Sequence, residues 1–122
     1  MKTVMVVDDS RIMREIVKKT FEILEIPSKF IEAGDGHEAL RQIQEQTVNL
    51  VLLDRNMPVL SGIDFLKRAR AMDQYKSLPI IMVTGESAKY DIIEALEAGA
   101  TDYIVKPVSE KIFIDKLSKV IF

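Results

Sequence analysis

The chain has 122 residues, no cysteine, one histidine and a formal net charge of −2 from 17 basic and 19 acidic side chains. That length suits one domain, 1–122, able to bury roughly two-thirds of its unfolded surface without disulfide or metal staples. The composition excludes a disulfide framework, thiolate chemistry and a histidine-rich metal centre, and with no basic block present nucleic-acid binding is not expected. The apolar run behind Met1-Lys2-Thr3 is too short for a signal peptide or a membrane span, so a cytoplasmic protein without membrane attachment is expected.

Apolar runs alternate with helical patterns five times along the chain, the βα rhythm of a doubly wound parallel sheet. Val4-Met5-Val6-Val7 reads as the first strand. Ser10 then caps a helix on which Met13, Ile16, Val17, Thr20, Phe21 and Leu24 recur at helical spacing, until Pro27 stops it. Phe30-Ile31 make a short second strand. Gly34-Asp35-Gly36 turn into a second helix from about His37, with Ala39, Leu40 and Ile43 inward. Leu50-Val51-Leu52-Leu53 form the third strand, loop 55–61 holds Pro58, and Gly62 opens a helix through about Ala71.

Pro79 introduces a fourth strand, Ile80-Ile81-Met82-Val83. Ile92, Ile93, Ala95 and Leu96 line the fourth helix, with Gly99 as its C′ residue. Tyr103-Ile104-Val105 is the fifth strand. Ser109 caps a last helix that buries Ile112, Phe113, Lys116-Leu117, Val120 and Ile121, the chain ending at Phe122. Lone His37 and the six methionines read as an exposed bystander and core filler, and Lys18-Lys19, Lys67-Arg68 and Arg70 as solvated helix faces, one of them available to a kinase.

Asp8-Asp9, Asp54, Thr84 and Lys106 each directly follow one of these apolar runs. In an open α/β sheet, ligands bind outside the carboxyl ends of the strands. Three carboxylates, a hydroxyl and an ammonium therefore share one rim. Adjacent carboxylates repel unless a cation joins them, and Mg²⁺ takes one or two carboxylates with phosphate oxygens and water. Taken singly, each has a plainer reading. Asp9 or Ser10 caps a helix beside a solvated Asp8, Asp54 is a solvated strand end, Thr84 satisfies local backbone, and Lys106 is solvated. Functionally, Asp54 is a nucleophile able to form an aspartyl-phosphate and Lys106 a point charge for phosphoryl oxygens.

The segments Val6-Val7-Asp8-Asp9-Ser10, Asp54-Arg55-Asn56-Met57-Pro58 with Gly62, Val83-Thr84-Gly85 and Tyr103-Ile104-Val105-Lys106-Pro107 resemble a response-regulator receiver domain across the whole chain, nearest to the stand-alone chemotaxis (CheY-like) receivers. The resemblance implies a flavodoxin-like, three-layer α/β fold with five parallel strands in the order 2-1-3-4-5. It implies that Asp54 accepts a phosphoryl group from the phosphohistidine of a sensor (CheA-like) histidine kinase. Asp9, Asp54 and the Asn56 carbonyl would bind Mg²⁺ directly and Asp8 through water, and the Lys106-Pro107 bond would be cis. Thr84 and Tyr103 would be the switch pair: the hydroxyl moves toward the phosphoryl group and Tyr103 turns inward, reshaping the face of the fourth helix, fifth strand and fifth helix. Asn56 and Glu86 would tune self-dephosphorylation and keep the phosphoryl group short-lived. Gly85 fits the small residue required beside the site.

Arg55 departs from the family pattern, where an apolar or aromatic residue is commoner. Its guanidinium is free to pair with Glu86 or Asp8, to assist anion binding, or to remain solvated. The resemblance implies a monomer, not an enzyme on an external substrate, whose output is a downstream protein such as a flagellar switch component, read near Lys89, Tyr90 and Lys111. A phosphorelay intermediate or the receiver part of a longer regulator is the alternative. An aspartyl-nucleophile phosphatase fits less well, because Asn56 stands where such enzymes place a second Asp. A flavin module would need a phosphate loop where Asp8-Asp9 lie.

Overall fold

The computed structural model describes residues 1–120, so the expected inward position of Ile121 and the end at Phe122 lie outside the described residues. Five parallel strands, β1 (Lys2–Val7), β2 (Ser28–Ala33), β3 (Leu50–Leu53), β4 (Ile80–Thr84) and β5 (Asp102–Val105), form one sheet in the order β2-β1-β3-β4-β5. Five helices connect them: α1 (Arg11–Ile23), α2 (Gly36–Glu45), α3 (Gly62–Arg70), α4 (Lys89–Glu97) and α5 (Glu110–Ser118). This is the flavodoxin-like architecture and strand order expected.

Residues 4–7 of β1, all of β3 and residues 80–83 of β4 run apolar without interruption because both faces are covered there, and the period of two divides their side chains between two cores. Met5, Val7, Val51, Leu53, Ile80 and Met82 face α2, α3 and α4, meeting Ile43, Phe65, Leu66 and Ala95. Val4, Val6, Leu50, Leu52, Ile81 and Ile104 face α1 and α5, meeting Val17, Phe21, Phe113 and Leu117. Phe21 stands edge-on to both Phe30 and Phe113, with ring centroids 5.4 Å apart in each pair. Phe21 and Phe113 are fully buried, and each such side chain contributes roughly 1.5–3 kcal/mol.

Several local expectations are corrected. β2 is six residues rather than two, because its whole length pairs with β1 from Lys2↔Ser28 to Val7↔Ala33. α1 ends at Ile23, ahead of Pro27. The stop is a left-handed turn at Glu25 (φ 56°), whose N–H donates to the Glu22 carbonyl while that of Ile26 donates to Phe21. The same device closes α4 at Gly99 (φ 110°). α2 starts one residue early, capped by the Asp35 carboxylate on the Glu38 N–H. A 3₁₀ turn at Asp73–Tyr75 went unread. Ile16, Ile93, Leu96 and Ile112 are exposed rather than inward, since in their helices Val17, Phe21, Ala95, Phe113 and Leu117 supply the buried stripe. Arg70 is not solvated: its guanidinium donates to the carbonyls of Gly99 (2.9 Å) and Tyr75 (2.5 Å).

Candidate functional site

The sheet topology makes the rim. β1 and β3 are neighbours, but the chain leaves β1 for β2 before crossing back to β3, which opens a crevice at their carboxyl ends. Backbone bonds extend the sheet past the strands and hold the polar residues there. The Asp8 N–H donates to the Ala33 carbonyl (3.0 Å), Asp54 to Val7 (2.8 Å) and Lys106 to Thr84 (2.9 Å).

Asp8, Asp9 and Asp54 each offer a carboxylate oxygen within 4.8 Å of the others, Asp8 and Asp54 buried and Asp9 exposed. An all-oxygen set of this charge, open on one side, fits a hard divalent cation. Lys106 reaches in from β5, its Nζ 2.9 Å from Asp8 Oδ2 and 3.8 Å from Asp54 Oδ1. Lys106 is therefore not solvated, and it sits closer to Asp8 than to Asp54. Burial raises the Asp54 carboxyl above its ordinary range. Lys106 pulls it back down, and Asp8 pushes it further up. The Asp54 Oδ1 also accepts from the Arg55 N–H (2.9 Å).

Thr84 is buried at the end of β4, and its hydroxyl accepts from the Glu86 N–H (3.4 Å). Asn56 Nδ2 donates to Glu86 Oε1 (2.6 Å), so these two side chains meet across the mouth of the site. Tyr103 lies inward: its ring belongs to the α2–α3–α4 core and its hydroxyl donates to the Glu86 carbonyl (2.7 Å). Burial pushes its phenol up, the neighbouring Arg55 charge opposing. The Lys106-Pro107 bond is cis.

Arg55 pairs with neither Glu86 nor Asp8. Its guanidinium, 11% exposed, donates to the Asp91 carbonyl (2.9 Å), lies 3.6 Å from the Asp91 carboxylate and bonds Glu94. Asp91, Glu94 and Arg14, which donates to the Asp8 carbonyl (2.6 Å), escaped the sequence reading. Only the helical i, i+3 spacing of two acids on α4 hinted at the first pair. Arg14 had no signal of its own.

A doubly wound sheet with a cation-competent acidic crevice facing a lysine defines a phosphoryl-handling α/β domain. The profile of the response regulator receiver domain matches residues 4–118, and the chain belongs to that family. It is 41% identical to chemotaxis protein CheY1 of Helicobacter pylori over 118 residues, covering 96% of this chain and 94% of that one. With chemotaxis protein CheY-3 of Vibrio cholerae it shares 40% identity, covering 96% and 89%. Among solved structures, chemotaxis response regulator CheY4 of Vibrio cholerae superposes with a TM-score of 0.89 at 35% identity, covering 99% of both chains. Among the described residues no helix is long and apolar enough to cross a membrane.

Proposed function

We propose that this receiver accepts a phosphoryl group on Asp54 from the phosphohistidine of a CheA-like kinase and thereby switches its binding to a downstream protein of chemotaxis, such as a flagellar switch component. The observation that carries the proposal is the convergence of Asp8, Asp9, Asp54 and the Lys106 ammonium at one rim. The names of the relatives support the chemotaxis setting. A monomer working in the cytoplasm, without an external substrate, fits the same reading.

Phosphoryl transfer needs little covalent help from a protein; positioning and charge neutralisation do most of it. An Asp54 carboxylate oxygen attacks phosphorus, the P–N bond to the donor imidazole breaks, and its electron pair stays on the imidazole. Lys106, already between Asp8 and Asp54, shifts onto a phosphoryl oxygen. Asp8, Asp9, Asp54 and the Asn56 carbonyl would hold Mg²⁺, which supplies charge neutralisation to the phosphoryl oxygens. The Thr84 hydroxyl donates to another of those oxygens, and Tyr103 reports the change to the α4–β5–α5 face. In the reverse step, water admitted between Asn56 and Glu86 attacks phosphorus and the P–O bond to Asp54 breaks, which keeps the signal short-lived.

The test is intact-protein mass after incubation with acetyl phosphate, with and without Mg²⁺, beside Asp54→Asn. A gain of one phosphoryl group that needs both Mg²⁺ and Asp54 is expected. No gain by a folded protein, or an equal gain in the variant, overturns the proposal.

A further inference from the structure

Arg55 is where this chain departs from the family pattern, and its surroundings are built rather than solvated. It directly follows the proposed phosphoacceptor, and its own N–H holds the Asp54 carboxylate. Its side chain crosses from the β3–α3 loop to α4 and engages three acceptors there: the Asp91 carbonyl, the Asp91 carboxylate and Glu94. Asp91 is itself buried, 8% exposed in the first turn of α4, so it depends on this guanidinium for charge compensation.

The helix it grips has little else at that end. The residue at the N-cap of α4 is Ala88, whose side chain makes no cap. A missing side-chain cap leaves first-turn N–H groups without their usual partner and weakens the start of a helix by about 1 kcal/mol. The segment that leads into it, 84–88, carries the Glu86 carbonyl that receives the Tyr103 hydroxyl. Whatever fixes the start of α4 therefore fixes the acceptor that holds Tyr103 inward. A planar fork reaching two carboxylates and a carbonyl is suited to that task in a way a lysine is not.

We propose that Arg55 is a positioning residue, an ionic latch from the phosphoacceptor loop to Asp91 and Glu94 that holds the start of α4 and with it the inward position of Tyr103. The inference rests on the receiver reading for its consequence: the latch biases the switch toward the state with Tyr103 inward before any phosphoryl group arrives, so phosphorylation adds to a preset balance. A ligand or modification shifts such a balance only by its differential interaction with the two states. The latch contributes such a difference from within the chain.

The test is ¹⁹F NMR of the unphosphorylated protein carrying 3-fluorotyrosine, with the Tyr75, Tyr90 and Tyr103 signals assigned by Tyr→Phe variants. In Arg55→Met the ratio of inward to outward Tyr103 is expected to fall at least about fivefold, the lower end of typical coupling between sites. Glu94→Gln, at a half-exposed position, moves the signal the same way by less. Arg70→Met, which removes a partly buried guanidinium tied to Gly99 and Tyr75, lowers the melting temperature and leaves the Tyr103 signal in place. An unmoved Tyr103 in Arg55→Met, or an equal shift in Arg70→Met, overturns the latch. Acetyl-phosphate uptake on the same samples tests the receiver reading alone, and its failure leaves the Tyr103 result standing.

Discussion

Val59 has a backbone φ of 68°, a left-handed conformation that a β-branched residue rarely adopts, and its side chain is 81% exposed. It therefore bears steric strain without burying anything in return. The strain lies in the loop between Asp54 and α3, where Leu60 donates back to the Pro58 carbonyl (2.7 Å) to close a tight turn. Asparagine tolerates this conformation far better, while the left-handed region costs an ordinary L-residue roughly 1–2 kcal/mol. Val59→Asn is expected to raise the unfolding free energy by about 1 kcal/mol, read as a higher urea midpoint at unchanged slope. An unchanged or lower midpoint would show that the turn gains from valine something its exposure does not suggest. At this scale the polar residues that converge at the rim were legible, because each follows an apolar run. Their partners were not. That Lys106 leans on Asp8, that Asn56 meets Glu86, and that Arg55 turns away to α4 depend on loop paths that no local pattern encodes.

At the scale of elements, the site depends on α3 lying hard against the end of β3. The Gly62 N–H donates to the Arg55 carbonyl (2.8 Å), and a Cβ built on Gly62 would lie 2.1 Å from the Asp54 carbonyl oxygen. The obstacle is backbone, which cannot swing aside as a flexible side chain would. A Cβ on Gly36 would meet the Leu60 carbonyl oxygen at 2.3 Å in the same way, so two glycines let α2 and α3 close on the loop that follows the proposed phosphoacceptor. Gly62→Ala is expected to destabilise by about 1–3 kcal/mol and to displace Asp54 from Lys106. Melting temperature and the initial rate of acetyl-phosphate uptake should fall together. A variant that loses stability yet phosphorylates at the wild-type rate would separate this contact from the site. The glycine was legible as a helix start, but its close approach was not, because that requires knowing which carbonyl lies opposite.

For the whole molecule, alternation of strands and helices was enough to read the three layers, since uninterrupted apolar runs in the central strands demand cover on both faces. The inward sets on α4 and α5 were read too broadly because those helices are apolar on more than one side, and only the sheet decides which side it takes. The sheet also exposes an edge strand, β2, and its attachment to the rest makes stability depend on pH. Glu32, on β2, meets Arg14 (3.0 Å) and Lys18 (3.0 Å), both on α1. Burial raises its carboxyl, but hydrogen bonds from Lys18 and Arg14 outweigh this and hold it below the usual 4.5. A depressed folded-state pKa means that the folded chain releases this proton more readily than the unfolded one. Its contribution is therefore complete above about pH 4.5 and is lost as pH falls through the lower folded value. Asp54, whose carboxyl is raised, acts with the opposite sign: its ionised form weighs against folding at neutral pH, and acid relieves it. Substituting Glu32 isolates the first effect. At pH 7, Glu32→Gln should unfold at lower urea than wild type, by on the order of 1 kcal/mol or less, since the carboxylate is one-third exposed and partly screened. Below pH 4.5 the two curves should converge as the wild-type carboxylate takes up its proton. A gap that stays constant from pH 7 down to about pH 3 would mean that Glu32 holds β2 to α1 by packing and neutral hydrogen bonds, with no part played by its charge.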